Sequence, residues 1–243
     1  MQCWGLTDPG CVRIQNQDAF QIEQLDRHTT LCVVCDGMGG AKSGNVASSL
    51  AADVFTQEIK QSWHPDMDPE RLDQMLSGAV KLANFTVYDQ AQQFEEFNGM
   101  GTTLVAVLIQ GKQATFVNVG DSRAYCVDKN GIVQVTTDHS LVQLMVARGE
   151  LTREQARRYP GKNLITRAIG TESAVACDIF HRRMERGDCV ILCTDGLSNM
   201  IDDQEILFEV AHGEKKDQCC QRLLEIAKRR GAPDNVTSVL AVV

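Results

Sequence analysis

Apolar residues recur along this chain at two spacings, and each switch between them marks a boundary between elements. Residues 18–25 and 30–35 are strand-like and meet across the polar turn Asp26-Arg27-His28. Residues 43–63 place Val46, Ala47, Leu50, Ala51, Val54, Phe55 and Ile59 on one helical stripe. A second helix is expected from 69 to about 97, carrying Leu72, Met75, Leu76, Ala79, Leu82, Ala83 and Val87. Strands follow at 102–109 and 114–119 around a Gly111-Lys112 turn, then a hairpin, 124–127 and 132–136, whose Asn130-Gly131 suits a tight turn. Helical spacing returns at 140–148 and 152–158, and strands at 174–181 and 189–194. Two helices, 203–211 and 216–230, precede a last strand at 235–243. Strands joined by hairpins and helices in pairs predict antiparallel sheets covered by helices rather than a parallel α/β sheet.

The 243 residues allow one large domain or two small ones; with no linker, repeat or low-complexity tract, a single domain over 1–243 is expected. A net charge of −8 argues against nucleic-acid and anionic-membrane partners. No run of apolar residues is long enough to span a membrane. The start MQCWGLTDPG lacks the pattern of a signal peptide, so a cytoplasmic location is expected. The ten cysteines are then expected to be reduced and mostly buried. Cys32 and Cys35 lie three apart on a strand and so on opposite faces, which argues against a shared metal or a C-x-x-C redox pair. Cys219 and Cys220 share a helical stripe with Leu223, Leu224 and Ala227.

The segment LCVVCDGMGGAKSG, residues 31–44, resembles a phosphate-binding loop but fits neither standard pattern. Aligned on Lys42-Ser43, the P-loop spacing puts Asp36 and Ala41 where glycines belong, and the dinucleotide spacing from Gly37 ends on Lys42. The aspartate is the more informative residue. An apolar run ending in Asp and a turn former recurs in VNVGDSR at Asp121 and VILCTDGL at Asp195, and Asp234 in GAPDNVT precedes the last strand. Any one of these is explained as a turn former. Four with the same grammar point to carboxylates gathered at a sheet rim. Two carboxylates about 5 Å apart at an effective dielectric near 20 repel by about 3 kcal/mol. A divalent cation offsets that, and an all-oxygen set suits Mg²⁺ or Mn²⁺ rather than zinc.

The motifs GLTDPGCVRIQNQDAF, VVCDGMGG, GMGTT, VNVGDSR, TTDHS, NLITRAIG, CTDGLSN and PDNVT stand in the order found in the PPM, or type 2C, metal-dependent protein serine/threonine phosphatases, and the chain resembles the compact bacterial members. The resemblance implies an α+β fold, a four-layer α-β-β-α sandwich of two antiparallel sheets flanked by pairs of helices. It implies two tightly bound Mn²⁺ or Mg²⁺ ions bridged by Asp36, with the Gly37 carbonyl, Asp195 and Asp234 completing their shell. Asp121 with Asp195 would hold a third, weaker ion, Asp18 would orient metal-bound water, and Arg13 would bind the substrate phosphate. Phosphoserine and phosphothreonine proteins, placed there by a Ser/Thr kinase, are the implied partners; a monomer is expected.

Two positions depart from the family's pattern. Met38 stands where many eukaryotic relatives carry a histidine proposed as the acid. The resemblance then implies a metal-bound water as the acid, with His139 either another candidate or a structural hydrogen-bonding residue. Residues 152–162 correspond to the flap, within a subregion at about 140–168, and Tyr159 replaces a common histidine there. The flap cations Arg153, Arg157, Arg158 and Lys162 would either attract acidic phosphopeptides or form a solvated face. Cys193, beside Asp195, is excluded as a thiolate nucleophile because neighbouring carboxylates raise its pKa. A non-catalytic binding module and a hydrolase of small phosphoesters are the rival classes; the first is disfavoured because every expected metal aspartate is present.

Overall fold

The alternation of side chains along the strands builds two antiparallel sheets whose inner faces meet and whose outer faces are covered by helices. The structure, a computed structural model, describes residues 1–39, 43–157, 159–213 and 215–243. The chain runs β1 (Gln2–Asp8), β2 (Asp18–Gln24), β3 (Thr29–Met38), α1 (Gly44–Ser62), α2 (Pro69–Gln93), β4 (Gly101–Thr102), β5 (Leu104–Gln110), β6 (Gln113–Val119), β7 (Arg123–Asp128) and β8 (Gly131–Gln134). It continues with α3 (Leu141–Ala147), α4 (Arg153–Arg157), β9 (Asp178–Arg183), β10 (Cys189–Cys193), α5 (Asp195–Ser198), α6 (Asp203–His212), α7 (Cys219–Arg229) and β11 (Val236–Val242). One sheet has the order β1-β11-β10-β7-β8 and the other β2-β3-β5-β6-β9, with β4 paired to β3.

The period-two rule assigns each side chain to a layer. On β3, Leu31, Val33 and Cys35 face α1 and α2, while Cys32 and Val34 face the other sheet. On β10 and β11, Ile191, Cys193, Val236 and Leu240 pack under α6 and α7, while Val190, Leu192, Val239 and Ala241 point inward. β3 reads as a nearly unbroken apolar run because both its faces are covered. Each such Val or Leu contributes about 1.5–3 kcal/mol on burial. The same parity puts Asp18 and Asp36 on the inner face, as register partners across β2 and β3. The expected α-β-β-α layering is therefore present, and the first carboxylates lie where the interface between the sheets ends.

Several boundaries differ from the expected ones. β1 lies outside the predicted elements, because QCWGLTD alternates around a glycine that the packing requires: a Cβ on Gly5 would stand 2.4 Å from the Phe20 ring. β3 continues past Asp36 through Gly37 and Met38, which pair with Thr102 and Gly101, so Asp36 lies inside the strand rather than at its end. The expected strand at 102–109 breaks at Thr103, whose backbone N–H and hydroxyl both bond the backbone of Asp36 on β3. The expected strand at 174–181 begins only at Asp178, and the second long helix ends at Gln93, before a short 3₁₀ turn at Glu95–Phe97. α5, one turn long, is too short for its period to be read. Lys42 and Arg158, and the side chains of Arg153 and Arg157, lie outside the described residues.

Candidate metal centre

Each aspartate of interest is fixed by its backbone before its carboxylate is considered. Asp36 donates its N–H to Thr103 Oγ1 at 2.9 Å, and its carbonyl accepts from the Thr103 N–H at 2.9 Å and Thr102 Oγ1 at 2.8 Å. Asp195 opens α5. Asp234 precedes β11 beside Asn235, whose Nδ2 donates to the carbonyls of Pro9 and Gln15 and whose Oδ1 accepts from the Gln17 N–H. One asparagine thus straps the loop carrying Arg13 across the end of the first sheet. Gly196 permits this closure, since a Cβ there would stand 1.9 Å from the Asn235 carbonyl oxygen. Asp121 follows Gly120, whose φ of +107° favours glycine.

The side chains converge from both sheets. Asp18 is only 9% exposed; its Oδ2 accepts from Thr194 Oγ1 at 2.9 Å and Thr237 Oγ1 at 2.6 Å, and its Oδ1 is buried without a partner. Burial, reinforced by Asp195 and Asp234, raises the Asp18 pKa to about 7 against the pull of the two threonines. Burial and the charges of Asp18, Asp195, Asp121 and Asp234 push Asp36 well above the ordinary carboxylate range. Burial and Asp195 bring Asp121 to about 7. Asp195 is raised by burial and Asp234, and eased by a hydrogen bond with Asp36 and by Lys162.

The structure therefore brings together Asp18, Asp36, Asp121, Asp195 and Asp234. Among the described residues, no three His, Cys, Asp or Glu side chains are closed down into a ready metal cage. Their arrangement accounts for that. Asp234 Oδ2 is held by Arg13 Nη2 at 2.9 Å, and Asp195 Oδ2 by Asn199 Nδ2 at 3.0 Å. The donor set fits hard divalent cations: oxygen ligands alone, mutual repulsion to relieve, and one buried oxygen, Asp18 Oδ1, with nothing to bond. Gly37 adds a steric requirement of its own. A Cβ there would stand 2.1 Å from the Gly44 carbonyl oxygen and 2.5 Å from that of Gln17, so the missing side chain lets β3 pack under α1.

The alternative acid and nucleophile take structural roles. His139 is 7% exposed; its Nδ1 accepts from the Gly120 N–H at 3.0 Å and its Nε2 lies 3.2 Å from Asp178 Oδ2. Burial lowers its pKa, and it fixes the turn that presents Asp121. Burial holds the Cys193 thiol near 12, as expected for a core residue. Cys219 and Cys220, at the start of α7, are likewise buried, with Leu223, Leu224 and Ala227. The residue-level reading missed the roles of Thr103, Thr194, Thr237, Asn199 and Asn235. The signal available was Thr194 beside Asp195 and Asn235 beside Asp234; Thr103, Thr237 and Asn199 adjoin no site aspartate in the sequence. A groove of about 610 Å³ opens beside Asp121 and Asp195, between Gln143, Val146 and Lys162 on one side and Asp202 and Asp203 at the start of α6 on the other.

A family model described as protein phosphatase 2C matches residues 12–240. The chain belongs to the protein phosphatase 2C family. It is 32% identical over 234 residues to the serine/threonine phosphatase stp of Listeria monocytogenes, covering 96% of this chain and 92% of that one. Crystal structures of other family members share the architecture. Stp1 of Staphylococcus aureus superposes with a TM-score of 0.94 at 34% identity, over 100% of this chain and 95% of that one. The catalytic domain of the phosphatase PstP, solved in complex with two manganese ions, superposes with a TM-score of 0.85 at 33% identity, covering 99% and 97%. Among the described residues of this phosphatase 2C chain, no helix is long and apolar enough to cross a membrane.

Proposed function

We propose that this chain is a metal-dependent protein serine/threonine phosphatase, with residues 1–243 forming one catalytic domain and about 140–168 its flap. The observation that carries the reading is the cluster of half-buried aspartates drawn from both sheets around the unpartnered Asp18 Oδ1. Asp36, Asp195 and Asp234, with the Gly37 carbonyl, would hold two Mn²⁺ or Mg²⁺ ions, and Asp121 with Asp195 a weaker third. Bound there, the cations supply positive charge for the phosphoryl oxygens and acidity for the water that attacks phosphorus. Asp18 would accept a hydrogen bond from that water through its unpartnered Oδ1. Arg13 is held by Asp234 through an exposed ion pair, its side chain 53% accessible, a contact worth about 0–1 kcal/mol. It is released at little cost when Asp234 turns to a cation, and its planar fork then matches phosphate oxygens. Neither Met38 nor the internally bonded His139 serves as acid, so the proton on the leaving alkoxide comes from solvent.

Phosphorylated proteins are the substrates, made by a Ser/Thr kinase, in the cytoplasm, and the enzyme acts as a monomer. Release of inorganic phosphate from a phosphoserine peptide, measured with Mn²⁺ before and after EDTA, tests the reading. Hydrolysis that needs the metal and returns on its readdition supports it. Hydrolysis unaffected by chelation, or confined to nucleotides, contradicts it.

A further inference from the structure

The interior between the sheets holds a second pair of reactive side chains, which the hydrolysis does not use. Cys3 of β1 and Cys32 of β3 face each other from opposite sheets, Cys32 wholly buried in the shared core and Cys3 half-buried against it. Both strands run toward the carboxylates. Thr7 shares Cys3's face four residues on and bonds Thr237, which donates to Asp18. Asp36 shares Cys32's face four residues on and is the register partner of Asp18. The two cysteines are therefore set back equally, by about 13 Å at ~3.3 Å per residue. They meet at one level in the shared core, near enough for each thiol to shift the other's acidity. The sheets approach closely at this edge: only the absence of a Cβ on Gly5 admits the Phe20 ring.

We propose that Cys3 and Cys32 are a peroxide-sensitive dithiol that closes to a disulfide and ties the two sheets together below the metal centre. Access sets the order of events: Cys3 is part-exposed and meets the oxidant first, whereas Cys32 is wholly buried behind it. The Cys3 thiolate attacks one peroxide oxygen, the O–O bond breaks, and a sulfenic acid and one water result. The Cys32 sulfur gives up its proton and attacks the Cys3 sulfur, and the hydroxyl leaves as a second water. Two thiols lose two electrons and two protons, and the peroxide takes up both. A thiol reductant reverses the change, as suits a transient bond in a reducing compartment.

The test is disulfide mapping of the full chain after hydrogen peroxide, with free thiols alkylated and digestion without reduction. The expected product is a Cys3–Cys32 peptide pair that dithiothreitol dissolves. It should be missing from Cys3→Ser and from Cys32→Ala, and the oxidised wild type should show a raised Tm that Cys3→Ser does not. Because Cys32→Ala empties a core position, the half-exposed Cys3→Ser variant carries the assignment. Three results would overturn the proposal: both thiols still alkylated when exposed Cys11 is already oxidised, either cysteine bonded to a different partner, or Cys3 trapped as sulfinic acid beside a free Cys32.

Discussion

Asp18 places one carboxylate oxygen between two threonine hydroxyls and leaves the other buried and unmatched. That asymmetry separates a residue that binds from one that orients. Asp18→Asn keeps the shape and removes the charge; the expected result is a loss of about 10–100-fold in kcat with smaller change in KM, the usual scale for a group acting on a metal's surroundings. Arg13→Ala should act in the opposite sense. Losing a charge-assisted bond worth about 1.5–3 kcal/mol raises KM for phosphopeptide by roughly 10–100-fold and leaves metal stoichiometry unchanged. His139 gives a third contrast. An asparagine oxygen can accept the Gly120 N–H as Nδ1 does, so His139→Asn should retain most activity and His139→Ala should not. Equal losses in both variants, with a lost limb in the pH–rate profile, would make His139 an acid after all.

At the scale of elements, the strands with both faces covered were the most legible in the sequence. β3 and β5 are runs of Val, Leu, Ile and Cys because each side chain meets either a helix layer or the facing sheet. β1 was not legible, since an edge strand with Trp4 outward, Cys3 inward and Gly5 between has no run to read. The extent of β3 was hidden for a related reason: Asp36 and Gly37 look like a turn until the pairing with β4 is seen. The five acidic and single basic site residues were named by motif, whereas the threonines and asparagines that hold them make sense only with distances. Asn235 shows the difference most clearly. Asn235→Ala removes three hydrogen bonds between the end of β11 and the loop at Pro9–Gln17. At about 1 kcal/mol each, a loss of roughly 3 kcal/mol is expected by denaturant titration, with Arg13 displaced from the site. A loss under about 0.5 kcal/mol, the range of ordinary surface changes, would show that the strap does not hold the loop.

The whole molecule is two sheets whose shared interior is apolar along most of its length and acidic at one end. This makes stability without metal depend on pH in a direction opposite to that of an ordinary carboxylate pair. Asp18 and Asp121 titrate near 7 in the fold and near 3.8 outside it, so the native state holds protons that the unfolded chain has already released. Their contribution is fully present below about 4 and lost as pH rises through about 7. In EDTA, Tm should therefore fall between pH 5.5 and 8 on the order of several degrees, and Mn²⁺ should restore it most at the higher pH. A Tm in EDTA that climbs across that interval would contradict the burial of these charges.

Manganese binding by titration calorimetry tests the central claim most directly, with wild type and Asp36→Asn measured side by side at pH 7.5. The account predicts two tight ions per wild-type chain and loss of both in the variant, because Asp36 is the carboxylate proposed to bridge them. Wild type that binds no manganese, or an Asp36→Asn protein that binds both ions as before, would contradict it.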